Sequence, residues 1–342
     1  MGAIHLTNRD TNAMKSEITR RQFSTGLATL GAGTMLPGAA MAQQKIVLRY
    51  GNAGTPTTLS NVFNGKLSDA VSKKTNGAVS MEIFAGSLGG EQKLIDSMAL
   101  GSLDMYNGAY TGTREFDIMY SPYMFRDGAH AGRVLQGDIG KRASAALQKK
   151  YKARLLGAGR LGTYNLMLKQ PITSFADLKG RKIRAPQIEG CLEGLKFFGA
   201  IPTPIPFNEI YLALQQGIVD GVLTALNPGV AGKFFEVCKY VVTNDFGMAL
   251  DKELISDAAW GRLSASQQAA LQSSFDELEP TDYYQVGVKL KDVDVETWRK
   301  AQGADSIITL SAGSVATQLE PLNKKLADDV FGAGSWDILK KA

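Results

Sequence analysis

The chain has 342 residues, a formal net charge of +5, 2 histidines and 2 cysteines. So mild a positive balance lacks the electrostatic footprint of a nucleic-acid binder. With His5 near the N-terminus, a catalytic triad or multi-histidine metal site would have to be built around His130 alone.

Residues 1–42 read as a cleaved export signal, not as structure. Thr19-Arg20-Arg21-Gln22-Phe23 precedes 17 uncharged residues, 24–40, and Ala40-Met41-Ala42 supplies a small-x-small cleavage site. The paired arginines before Phe23 point to the twin-arginine route. The uncharged run is short and weakly apolar for a membrane anchor, which needs about 20 residues. Removing Arg9, Lys15, Arg20 and Arg21 with Asp10 and Glu17 lowers the balance from +5 to +3. No later stretch is long and apolar enough to span a bilayer, so the expected location is the free periplasm. That compartment permits a disulfide between Cys191 and Cys238, but their spacing does not establish one, and free buried thiols are the alternative.

The mature chain opens with an apolar, β-branched strand at 45–50. A helix is expected over 59–74, with Val62, Phe63, Leu67 and Val71 near helical spacing. Residues 78–84 alternate as a strand, 91–100 return to helix, and 103–107 form a short strand. Strand–helix alternation implies crossover connections and a largely parallel sheet. A helical stretch follows near 132–151, then strands at 153–156, 164–168 and 182–185. Ile188, Leu192 and Leu195 mark the next helix. Asn208 is a candidate cap for the one after it, with Phe207 and Leu212 in the positions of a hydrophobic staple and Gly217 as its stop. Residues 219–223 read as a strand. Residues 264–304 are mostly helical in pattern, long enough to brace two lobes, and Pro280 is expected to bend them.

Gly157-Ala158-Gly159-Arg160-Leu161-Gly162 matches GxGxxG after a strand, but the next residues look like strand, not the helix that a dinucleotide site requires. The Gly86-to-Gln92 cluster lacks the lysine and hydroxyl of a phosphate loop and reads as a strand-to-helix turn. Neither HExxH nor GxSxG is present, and no carboxylate pair is marked out for acid/base work.

Gly180-Arg-Lys-Ile-Arg-Ala-Pro-Gln187 is the chemically interesting run. Pro186 biases Ala185 towards an extended conformation, so Arg184 falls at the end of a strand with a helix about to begin. A guanidinium beside a helix N-terminus is a good carboxylate site, and this sheet edge is where ligands bind in open α/β folds. A solvated strand end is the alternative.

These residues carry a resemblance to a known family. Residues 177–187 (DLKGRKIRAPQ) and 197–221 (FFGAIPTPIPFNEIYLALQQGIVDG) resemble the periplasmic solute-binding proteins of TRAP transporters, DctP type; GSLGGEQ, LGSLDM and SPYMF agree more weakly. The likeness runs from about residue 45 to 263. It implies an α/β, two-lobed periplasmic-binding-protein-like fold with crossing hinge strands and a long helix spanning both lobes. The lobes would comprise 43–161 with 250–289, and 162–249 with 290–342. It further implies a monomer that is not an enzyme, needs no cofactor or metal, captures an organic acid in the cleft and delivers it to small and large membrane subunits. In that pattern Arg184 pairs with the ligand carboxylate. Gln187 and Phe207 are neighbouring pocket positions, and Asn52, Glu91, Asn107 and Tyr110 fall near the opposite wall.

Two departures bear on the ligand. Tyr164 stands near the place of a second arginine found in sialic-acid-binding members. Thr224 replaces the asparagine of the common DGQENP run, and Asn227-Pro228 follows three residues later. One clear arginine with Tyr164 and Thr224 suits a small monocarboxylate that is hydroxylated, keto or aromatic. A dicarboxylate would need Lys182, Arg160 or backbone amides at its far end. The competing functions are an exported two-lobed enzyme acting on an organic acid, and a binding protein feeding a sensor.

Overall fold

The computed structural model describes residues 45–311 and 315–342; the expected signal segment and its paired arginines lie outside the described residues. Ten strands run in chain order: β1 (Ile46–Asn52), β2 (Val79–Ala85), β3 (Met105–Gly108), β4 (Ala153–Leu168), β5 (Lys182–Ala185), β6 (Ile201–Pro204), β7 (Gly221–Ala225), β8 (Tyr240–Val242), β9 (Met248–Ser256) and β10 (Ile307–Ile308). In the first lobe β1 lies between β2 and β3, all parallel, and β9 adds antiparallel to β3. In the second lobe β5 lies parallel to β6 and β7. The parallel sets follow from the expected crossover helices, here Leu59–Lys74, Glu91–Ala99 and Glu189–Phe197 among others.

The lobes are joined by β4. Its first part pairs antiparallel with β9 from Ala153 to Thr163, and Tyr164 to Leu168 pair antiparallel with β7. The sequence suggests two strands here; the structure has one of 16 residues. Glycines 157, 159 and 162 dilute the side-chain alternation, and register shifts fall at Leu155/Gly157 and Arg160/Gly162. The bulges bend the strand as it passes between lobes.

The GxGxxG run therefore serves packing. A Cβ on Gly157 would lie 2.1 Å from Cε1 of Phe275, and one on Gly159 would lie 2.1 Å from Cε1 of Tyr283. Gly162 has φ +128°, a conformation that L side chains rarely adopt. Phe275 belongs to helix Ala265–Leu278, which begins with a Ser264–Gln267 capping box. Tyr283 belongs to the π-helical turn Glu279–Gln285, which contains Pro280 and continues into helix Val286–Gln302. The wider turn absorbs the proline without ending the helical path. Gly159→Ala should cost about 1–3 kcal/mol by overpacking, read as a lowered urea midpoint with an unchanged slope.

Other expectations shift in detail. The helix expected near 132–151 is two, Gly128–Gln136 and Asp138–Tyr151, split at Gly137. Asn208 does not cap a helix: Phe207–Glu209 form one 3₁₀ turn after Pro206, and Ile210–Gln215 follows without a side-chain cap. The staple fails because Leu212 is 54% exposed, while Phe207 turns instead to Phe234, with ring centroids 5.9 Å apart. Cys191 and Cys238 are free and buried.

Residues 315–342 are fastened to the segment 121–130 by hydrogen bonds. Asn323 accepts from Ser121 Oγ at 2.6 Å and donates to the Pro122 carbonyl at 3.0 Å. His130 Nδ1 accepts from the Arg126 N–H at 3.0 Å, so Nε2 carries the proton and donates to the Leu339 carbonyl at 2.7 Å. Burial pulls the imidazole pKa down, which keeps it neutral. His130 is a fastener between helix Gly128–Gln136 and helix Ser335–Lys341. No helix among the described residues is long and apolar enough to cross a membrane.

Candidate functional site

β5 delivers Arg184 to the C-terminal edge of the second-lobe sheet. Lys182 is exposed at its start, and Ile183, Arg184 and Ala185 are buried. The guanidinium is only 2% exposed. Its Nε donates to the Ile205 carbonyl at 2.8 Å and Nη1 to the Leu223 carbonyl at 3.3 Å. Ile205 follows β6 and Leu223 lies in β7, so the sheet neighbours of β5 hold the fork in place. These bonds use two of the five N–H groups. Among the described residues no carboxylate lies within ion-pair distance of it. Burial depresses its pKa, opposed chiefly by the charge of Glu91.

Arg184 borders a cavity of about 60 Å³ that residues of both lobes line. From the second lobe come Arg184, Pro186, Phe207 and Thr224, with Tyr164 from the joining strand; from the first come Asn52, Glu91 and Ala109. Tyr164 and Thr224 are each 5% exposed. Burial pushes the Tyr164 phenol well above its ordinary pKa, so it stays neutral. Glu91 opens helix Glu91–Ala99, where its Oε1 accepts from the Ala109 N–H at 3.2 Å.

Six of the nine residues singled out in the sequence thus meet at one cavity: Asn52, Glu91, Tyr164, Arg184, Phe207 and Thr224. Three do not. Tyr110 and Gln187 line an adjoining outer cavity of about 610 Å³, which shares Glu91 and Pro186 with the inner one. Asn107 borders neither; its Oδ1 accepts from Asn52 Nδ2 at 2.8 Å and its Nδ2 donates to Glu253 Oε2 at 3.3 Å. Asn52 also has its polar atoms engaged, since Oδ1 accepts from Gly54 N and Asn61 Nδ2. It builds the wall.

The cations considered for a second carboxylate are elsewhere. Arg160 is paired with Glu279 at 2.7 Å and stacks on Tyr284, 4.0 Å from the ring centroid. Lys182 is exposed at the opposite end of β5. Conversely, Asp251 and Ser60 line the cavity and were not singled out. Asp251-Lys252-Glu253 resembles a solvated charge run, yet every residue of β9 is buried. A strand that crosses between lobes is covered on both faces, and that was the available signal. Lys252 Nζ donates to the carbonyls of Ala109 and Leu250 and to Tyr120 Oη; burial draws its pKa down, against the charge of Asp117. Among the described residues no group of three or more His, Cys, Asp or Glu is placed to hold a metal ion.

Two α/β lobes meet on a crossing strand, and among the described residues the buried guanidinium in the cleft has no carboxylate within ion-pair distance. The chain belongs to the DctP family, bacterial extracellular solute-binding protein family 7, whose model matches residues 51–314; these are periplasmic solute-binding proteins of TRAP transporters. It is 29% identical over 269 residues to the 2,3-diketo-L-gulonate-binding periplasmic protein YiaO of Escherichia coli, covering 76% of this chain and 78% of that one. It is 26% identical over 272 residues to the C4-dicarboxylate-binding periplasmic protein DctP of Rhodobacter capsulatus, covering 78% and 80%. A TRAP periplasmic solute-binding protein from Desulfovibrio salexigens, solved with bound orotic acid, superposes with TM-score 0.78 at 26% identity, covering 87% of this chain and 97% of that one.

Proposed function

We propose that this protein is the periplasmic capture subunit of a TRAP transporter, that its ligand is a small monocarboxylic acid, and that it delivers this acid to small and large membrane subunits. The observation that carries the proposal is Arg184, buried with no carboxylate partner among the described residues. A buried, unpaired cation is costly, and an incoming anion relieves that cost. The fork offers a ligand carboxylate charge-assisted hydrogen bonds in a site of low dielectric. Relatives named for a diketogulonate and for C4-dicarboxylates, and a neighbour holding orotic acid, support an organic acid.

Size supports a small one. The inner cavity, about 60 Å³, is much smaller than the adjoining outer one of about 610 Å³, so a short acid occupies the inner part alone and a longer one extends outward past Glu91 and Pro186. Tyr164, Thr224 and Phe207 then act as polar and apolar walls. Closure accompanies capture. The Leu59 N–H, at the start of helix Leu59–Lys74, donates across the cleft to Asn227 Oδ1 at 2.9 Å. At the mouth, Gly90 comes so close to Pro206 that an added Cβ would lie 2.9 Å from the proline Cβ. A ligand touching both lobes favours this closed state by its differential affinity.

The competing reading is an enzyme on the same frame. Purified protein should be incubated with three- and four-carbon acids, and the acids then measured by mass spectrometry. Capture predicts full recovery of unchanged acid and a 1:1 adduct in native spectra; progressive loss of the acid would make the protein an enzyme.

A further inference from the structure

Two carboxylates, Glu91 and Asp251, line the inner cavity. Asp251 sits in β9, 7% exposed, and lines the cavity. Its Oδ2 accepts from Ser60 Oγ at 2.6 Å and from Tyr283 Oη at 2.7 Å, which locks the group in orientation. Among the described residues Oδ1 receives no hydrogen bond, and no cation lies within ion-pair distance. Glu91 is similar, with Oε1 bound by the Ala109 N–H and Oε2 without a partner. Asp251 lies in β9, beside first-lobe strand β3, whereas Arg184 lies in β5 beside β7, so the two line the cavity from opposite lobes.

We infer that Asp251, assisted by Glu91, is a specificity-determining residue that accepts a hydrogen bond from a hydroxyl or ammonium on the ligand's non-carboxylate end and excludes a second carboxylate. The inference rests on the proposed pairing of the ligand carboxylate with Arg184. Asp251 Oδ1 and Glu91 Oε2 are acceptors open to the cavity, so a bound molecule that brings an N–H or O–H to them gains a hydrogen bond. A ligand carboxylate there would face two acidic side chains, with no donor from Asp251 to receive it. A hydroxyl satisfies an acceptor at no cost in charge; an ammonium satisfies it and also balances the two carboxylates.

Four acids on one three-carbon frame test this by calorimetry: 3-hydroxypropionate, β-alanine, propionate and malonate. Wild-type protein should bind 3-hydroxypropionate or β-alanine at least about tenfold more tightly than propionate, the worth of one charge-assisted hydrogen bond, and should bind malonate least. Asp251→Asn keeps an acceptor for Ser60 and Tyr283, and should lose that preference and gain malonate. Glu91→Gln, which leaves the Asp251 contacts untouched, should shift the ranking the same way. Equal wild-type affinity for propionate and the two donor-bearing acids, or an unchanged ranking in both variants, would overturn the assignment of Asp251 while leaving Arg184 intact. Failure of all four acids to bind wild-type protein would overturn the carboxylate pairing and this inference with it.

Discussion

Arg184→Met should abolish the thermal shift produced by acids while leaving the ligand-free protein at least as stable as wild type. The two halves of that result have separate causes. Removing one member of a buried, hydrogen-bonded charge pair typically costs about 2–5 kcal/mol, which is roughly a 30- to 5,000-fold loss of affinity. Without ligand, however, the guanidinium is a buried cation whose hydrogen-bond partners are the carbonyls of Ile205 and Leu223, with the charge of Glu91 acting from beyond ion-pair distance. Methionine fills similar volume without charge, and such replacements are often neutral or stabilising. Arg184→Lys should fall between, because an ammonium keeps the charge but not the planar fork. The measurement is ligand-dependent melting with circular dichroism as the folding control. A full acid-induced shift in folded Arg184→Met would remove Arg184 from the site.

The second large effect concerns the network behind the cavity. Glu253 is fully buried; its Oε2 lies 2.6 Å from Tyr50 Oη, and its Oε1 has no hydrogen-bond partner among the described residues. Tyr50 Oη is also 2.7 Å from Asn64 Oδ1. One phenolic proton cannot serve both acceptors, so the arrangement closes if Glu253 carries a proton of its own. Burial pushes its pKa up to about 8, from an ordinary value near 4.5. Between those values the folded protein holds a proton that the unfolded chain releases. The contribution of Glu253 to stability is thus greatest below the unfolded pKa and is lost as pH rises towards 8. Glu253→Gln mimics the protonated acid and does not titrate. It should match wild type near pH 4.5 and exceed it at pH 8 by on the order of a few kcal/mol, at about 1.4 kcal/mol per pKa unit. Urea unfolding across this range reads the difference; parallel pH profiles for the two proteins would show that Glu253 ionises normally.

Local signals were strong where side-chain period and backbone chemistry agreed. β1, β2, the helix Leu59–Lys74 and the edge position of Arg184 were legible from apolar spacing and Pro186. They were weak where tertiary packing overrode local pattern. β4 was split because glycines that admit Phe275 and Tyr283 look like loop residues. Asp251 was missed because three consecutive charges suggest solvent, and only the crossing of β9 between lobes buries them. The attachment of 315–342 to residues 121–130 includes single long-range bonds such as that of His130 to Leu339, for which the chain carries no periodic signal. The resemblance did not separate residues that line the inner cavity, such as Arg184 and Glu91, from Tyr110 and Gln187, which line the outer one.

Calorimetric titration of wild-type protein with 3-hydroxypropionate and with its amide, 3-hydroxypropanamide, most directly tests whether an anion completes Arg184. The two molecules share size, frame and hydroxyl, and differ in the charge presented to the guanidinium. Saturable 1:1 binding of the acid with at least about thirtyfold weaker binding of the amide is the expected result; equal affinity for the two would contradict the account.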